Sequence, residues 1–286
     1  MLSNKVNEIM TTNLTVAPVT RSVHEVMEQM IAEDVGRIVI TDDEVPVGVF
    51  TEKDVLKRVV NAGLDSKRTE IKAVMSAPIR AVREETHIID AFSRMYKGKY
   101  RHLLVRGRRG RIVGIVSMRR ILKIAVELGQ GMNETQTLES IAATPAISVA
   151  PSTSAAQAID LMLKNGVSSV VIGSTEQLLG IFTERDVLRR VATASFDKDK
   201  TKIDQVMTAP VIAMPRTTLV GDALSEMYRR DIRNLPVVGE NGALCGIVSM
   251  PDVLKYARAF DVDEQVRRTW KEVADSLESD DQYTPG

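Results

Sequence analysis

Gly48-Val49-Phe50-Thr51-Glu52-Lys53-Asp54-Val55-Leu56 reads as a short apolar strand that passes, through a hydroxyl-bearing residue, into a helix. The chain repeats this phrase. It returns as Gly114-Ile115-Val116-Ser117-Met118-Arg119-Arg120-Ile121-Leu122, as Gly180-Ile181-Phe182-Thr183-Glu184-Arg185-Asp186-Val187-Leu188, and as Gly246-Ile247-Val248-Ser249-Met250-Pro251-Asp252-Val253-Leu254. Successive glycines stand 66 residues apart each time, a register that chance similarity does not keep. A second period lies over the first. Units one and three share Phe-Thr-Glu-(Lys/Arg)-Asp-Val-Leu, while units two and four share Ile-Val-Ser-Met and an earlier Met-Tyr pair, Met95-Tyr96 and Met227-Tyr228. The organisation is a duplicated pair, ABAB.

Each unit reads as βαββα, which makes the fold class mixed α/β (α+β). A short β-rich segment (Leu14–Pro18, Ile79–Val82, Ala146–Ala150, Val211–Met214) precedes a helix. In unit one Val23, Val26, Met27, Met30 and Ile31 make an apolar stripe at helical spacing. Two strands follow, Arg37–Thr41 and Val45–Phe50, split by the polar turn Asp42-Asp43-Glu44, and then a second helix from about Thr51 to Val60. Units this small bury too little surface alone, so neighbours are expected to share a core, one with two and three with four. The units span residues 3–62, 68–128, 138–197 and 201–260, with a linker at 129–137 and a tail at 261–286.

The 38 basic and 38 acidic residues cancel, which gives no global pull toward nucleic acid or an anionic membrane. The first residues, Met1–Glu8, lack an apolar signal core, and no stretch approaches a membrane span, so a cytoplasmic setting is the default expectation. Cys245, the sole cysteine, lies in the apolar run Ala243–Val248 and is expected to be a buried core residue. There is no phosphate-loop, nucleophile-elbow or HExxH motif, and His24, His87 and His102 show no metal-ligand spacing. No catalytic centre and no metal are expected.

The strand, Gly-apolar-apolar-(Ser/Thr)-x-x-Asp and helix order, paired and preceded by Met10-Thr11, Met75-Ser76 and Met207-Thr208, resembles the CBS domain, whose tandem pairs are called Bateman modules. The likeness covers about residues 3 to 260 and is nearest to stand-alone four-CBS proteins and to the gamma subunit of AMP-activated protein kinase. It implies four CBS units in two Bateman modules. It also implies a regulatory site between paired units for AMP, ADP, ATP or S-adenosylmethionine, read by an unknown partner protein, with a homodimer as a further expectation.

The residues fit that implication. An ionised Asp one turn into a helix can accept from ribose hydroxyls, and the Thr or Ser three residues earlier can donate to a phosphate near the helix N-terminus. Thr51 with Asp54, Thr183 with Asp186, and Ser249 with Asp252 answer this description. They answer equally to a capping box. Unit two has Ser117 but carries Arg120 in place of the Asp; a cation cannot accept from ribose, so Arg119 or Arg120 is expected to meet phosphates instead. Further cations stand at the start of the second strand in three of the units, Arg37, Arg101 with His102, and Arg233 beside Asn234, where unit three has Ser168-Ser169. With aromatics at 4%, a purine would rest on aliphatic walls, for which Val16, Ile79, Ile147 and Ile212 are candidates and equally core candidates.

Two other features carry competing readings. Arg106-Gly107-Arg108-Arg109-Gly110-Arg111 is a basic turn able to meet nucleic-acid phosphates, or else a solvated hairpin tip. Val262, Val266, Thr269, Trp270, Val273 and Leu277 form one helical face, suited to docking on the units or a second protomer. The functional alternatives are a nucleotide sensor, a nucleic-acid-binding protein, and a scaffold whose motifs are only caps.

Overall fold

A computed structural model describes residues 5–121, 136–141, 144–193, 197–250 and 252. Each unit contributes a three-stranded sheet in which the first strand runs parallel to the second and the second antiparallel to the third. In unit one these are Val16–Pro18, Arg37–Asp42 and Val45–Thr51. The corresponding long helices are Val23–Ala32, Ile88–Lys97, Ala155–Asn165 and Val220–Arg229. Val23–Ala32 starts where Ser22 and Glu25 close a reciprocal capping box, and of the apolar stripe read from the sequence it buries Val23, Val26, Met27 and Met30, with Ile31 half-buried beside them.

The opening segment of each unit does not stay with that unit. Residues 70–76 lie on unit one, with Ile71 and Val74 buried and Ser76 bridged to Val49; residues 5–11 lie on unit two, with Val6 and Ile9 buried and Thr11 bridged to Ile115. Units three and four repeat the exchange through Thr208 with Ile181 and Thr144 with Ile247. This crossing explains the repeated glycine. A methyl group on Gly48 would stand 2.5 Å from the Met75 sulfur, and one on Gly114 would stand 2.9 Å from the Thr11 carbonyl oxygen. The glycine and the Met-Ser/Thr motif are thus two halves of one contact.

Cores are shared, though not only as the sequence suggests. The sheets of units one and two meet in a small apolar patch at Val39, Leu104 and Ile115. The larger cores run between pairs: one joins helices and strands of units one and three, the other those of units two and four. In the first, the turn Val55–Val60 packs on Val187–Ala192. The two pairs therefore close on each other within a single chain. Cys245 is exposed, against the expectation of burial, because it alternates outward on the strand Leu244–Ser249 while Gly246 and Val248 face in.

Candidate functional site

Two clefts lie between paired units, in equivalent places. The strand ending at Thr51 delivers Asp54 into the first, of about 290 Å³; the strand ending at Thr183 delivers Asp186 into the second, of about 320 Å³. Both carboxylates are buried. Asp54 Oδ2 accepts from the Thr51 amide at 3.0 Å and its hydroxyl at 2.7 Å, and Asp54 Oδ1 accepts from the Ser76 hydroxyl at 2.9 Å. Asp186 is held likewise by Thr183, at 2.9 and 2.7 Å, and by the Thr208 hydroxyl at 2.7 Å. Arg58 and Arg190 stand 3.6 and 3.5 Å from the respective Oδ1 atoms. Ser249 and Asp252 close the same turn in unit four.

The reciprocal capping box is therefore formed at Asp54 and Asp186, and the Thr51 and Thr183 hydroxyl protons go to their own carboxylates. A carboxylate offers about four acceptor directions, so Oδ1 keeps capacity for one more donor, or for one that displaces Ser76 or Thr208. Those two hydroxyls, from the crossed-over segments, were not read as site residues; the recurrence of Ser or Thr after Met75 and Met207 was the signal.

Between the clefts lies a cluster of charge that joins the pairs. Arg233 of unit four grips Glu52 of unit one through Nη1 at 2.5 Å and Nη2 at 3.2 Å, and Arg101 of unit two pairs with Glu184 of unit three. Arg185 reaches Glu52 at 3.4 Å and Asp231 at 2.9 Å. Glu52 and Glu184 are 2% and 6% exposed, so these are desolvated pairs. Burial opposes ionisation of Glu52, but Arg233, Arg101 and Arg185 outweigh it and hold the carboxyl below its usual range. Sequence reading missed both glutamates. Their signal was the second period: acid follows Thr in the A units, and arginine precedes the strand in the B units.

Arg101 and Arg233 line both clefts. Ile79 and His102 line the first, together with Leu104 and Ile115; Asn234 lines the second and accepts from Ser168 at 3.0 Å. Burial, then Arg37, Arg101 and Arg233, press the His102 imidazole well below its usual range, so it is neutral near pH 7. Arg37, at the matching strand position, is pushed down to about 10 by burial and by Arg233 and Arg119.

Other expected site residues stand elsewhere. Arg120 does not face a cleft: its Nε donates to the Ile9 carbonyl at 2.9 Å, and its amide donates to Ser117 Oγ at 3.1 Å. Arg58 and Arg190 hold the matching carbonyls of Val74 and Val206 from one turn further along. Unit two has Ile124 at that later position, and Arg120 supplies the missing clamp. Arg119 turns to Asp231, its Nη1 at 2.6 Å from Oδ1. Val16 is 45% exposed, and Ile147 and Ile212 pack on the helical cores. In the basic turn Arg106 donates to its own Gly110 carbonyl and Arg108 sits between Glu84 and Glu85, which blunts its charge. The helix face around Trp270 and most of the 129–137 linker lie outside the described residues. No helix among the described residues is long and apolar enough to cross a membrane.

Comparison with known proteins accords with this geometry. The CBS domain model matches residues 6–61, 71–127, 138–193 and 203–259. The Meiotically up-regulated gene 70 protein of Schizosaccharomyces pombe is 27% identical over 85% of this chain and 41% of its own length. The CBS domain-containing protein CBSCBSPB3 of Arabidopsis thaliana is 27% identical over 85% of this chain and 50% of its own length. The chain thus spans about half the length of the curated relatives it matches. Protein MJ1225 of Methanocaldococcus jannaschii superposes with a TM-score of 0.77 at 17% identity, over 88% of this chain and 99% of that one, which shows a shared fold.

Proposed function

The chain belongs to the CBS-domain family, and from that premise we propose that it binds adenine nucleotides, or a related adenosyl compound, in the clefts at Asp54 and Asp186. The observation that carries this reading is the pairing, in each cleft, of a buried Thr–Asp turn with arginines supplied partly by the other pair of units. A ribose hydroxyl suits the remaining acceptor capacity of Oδ1, in place of or beside Ser76 or Thr208. A phosphate suits Arg101 and Arg233, for which it competes with Glu184 and Glu52. Ile79, Leu104 and Ile115 offer the adenine an apolar wall in the first cleft.

The role is regulatory: the ligand is bound and released unchanged, and its phosphates loosen the ion pairs that join the two halves. A protein target that contacts both halves would read that change. A cytoplasmic setting goes with this reading, since it keeps the lone exposed thiol of Cys245 reduced.

Thermal unfolding with AMP, ADP, ATP and S-adenosylmethionine against a salt-matched blank tests the proposal. A ligand at about a hundred times its dissociation constant adds about 2.7 kcal/mol. If no member of the set raises the midpoint, nucleotide sensing is the wrong function.

A further inference from the structure

We propose that the two clefts select ligands by charge: the Asp54 cleft takes a polyphosphate chain of the triphosphate class, and the Asp186 cleft takes a monophosphate. This rests on the reading of both as nucleotide sites and asks what makes them differ.

Each residue of the first cleft but Arg233 has its counterpart 132 positions later, and Arg233 answers to Arg101, 132 positions earlier, so the comparison is residue by residue. Lys53 and Lys57 correspond to Arg185 and Arg189. In the second cleft both arginines are paired with carboxylates. Arg185 Nη1 lies 2.9 Å from Asp231 Oδ2, and Arg189 pairs with Asp34 of unit one.

Both carboxylates occupy one structural position, the left-handed residue that turns the chain from the long helix into the next strand. That position is Asp34 at φ 50°, Lys99 at φ 52°, Gly166 at φ 66° and Asp231 at φ 54°. Asp and Gly adopt this conformation readily; Lys does so less often. Applying the 132-residue equivalence, the partner for Lys53 would be Lys99, a like charge, and the partner for Lys57 would be Gly166, which has no side chain. Among the described residues none of Lys53, Lys57 and Lys99 lies within ion-pair distance of a carboxylate.

The outcome is a difference in field. The first cleft is lined by seven cationic and two anionic side chains among the described residues, the second by six and three. Arg101 and Arg233 line both and cannot discriminate. Lys53, Lys57 and Lys99 are exposed, long-stemmed point charges, suited to the outer phosphates of a chain. At an exposed rim each is worth several-fold in affinity at most and is screened by salt, so the three together give about tenfold or more.

The test is titration calorimetry of the full chain with magnesium-free AMP and ATP, using Asp186→Ala to isolate the first cleft and Asp54→Ala to isolate the second. Inorganic triphosphate and orthophosphate are titrated into wild type, Lys99→Asp and Asp231→Lys. The ATP-to-AMP affinity ratio is expected to be about tenfold higher at the first cleft and to fall more steeply with salt. Lys99→Asp should abolish that excess, and Asp231→Lys should raise the ratio at the second cleft. Equal ratios at the two clefts, or a ratio indifferent to Lys99→Asp, overturn the proposal. Should neither nucleotide bind, the adenosine reading falls by itself. Triphosphate binding weakened by Lys99→Asp would still uphold the charge asymmetry, and triphosphate that fails to bind or ignores that change would end it. Because the Asp variants also lose a helix cap, the Lys99 and Asp231 variants decide the matter if those do not fold.

Discussion

At the scale of single residues, the buried charges set opposing demands on stability and binding. Glu52 neutralises Arg233 and Arg185 in a desolvated place, so Glu52→Ala should cost roughly 3 kcal/mol in denaturant unfolding, the order seen when one member of a buried pair is removed. The same loss frees Arg233, and the milder Glu52→Gln should bind anionic ligands more tightly than wild type; weaker binding would mean that Glu52 orients Arg233 instead of competing for it. The pH dependence follows from signs. Glu52 titrates below its ordinary 4.5 in the folded chain, so its contribution is whole above that pH and fades as pH falls through the lower folded value. His102 is kept neutral when folded, whereas the unfolded chain takes up that proton below its ordinary 6.5. Stability should therefore start to drop as pH falls below about 6.5. His102→Asn, which copies Asn234, should flatten that part of the curve; an unchanged curve between pH 7 and 5 would rule out His102 as its source.

At the scale of elements, the strand-to-helix phrase and the crossed-over segment are interdependent. Gly114→Ala places a methyl against the Thr11 carbonyl, a backbone atom that cannot swing aside, and should destabilise by about 1–3 kcal/mol. A melting curve matching wild type would show that residues 5–11 do not bear on the strand Ile112–Ser117. Arg120 belongs at this scale as well. It is the clamp on Ile9, so replacing it by the Asp of the other units should loosen the same segment without creating a ribose site, and adenosine titration of Arg120→Asp checks this. The sequence made the repeat, the helical stripe and the Thr–Asp turns legible because all three are local or periodic. It left Arg120 misread because the clamp's target lies 111 residues away, on a segment that crosses to another unit.

At the scale of the whole molecule, the two pairs share apolar cores through units one with three and two with four. A fragment of residues 5–128 would expose the faces that Val23–Ala32 and Ile88–Lys97 contribute to those cores. It should self-associate in sedimentation, and a stable monomeric fragment would contradict the shared-core account.

The sequence by itself determined the number of units, their order of elements, their ABAB kinship, and the Thr–Asp turns, since periodicity and capping depend on near neighbours along the chain. Only the tertiary structure decided which unit neutralises which. Glu52 and Arg233 are 181 positions apart, and Glu184 and Arg101 83, so no local pattern couples them. It also decided that Ser76 and Thr208 complete the carboxylate sites from crossed segments, and that the two clefts differ in charge through one left-handed position per unit. Desolvation makes such pairings matter, and burial is a property of the assembled chain.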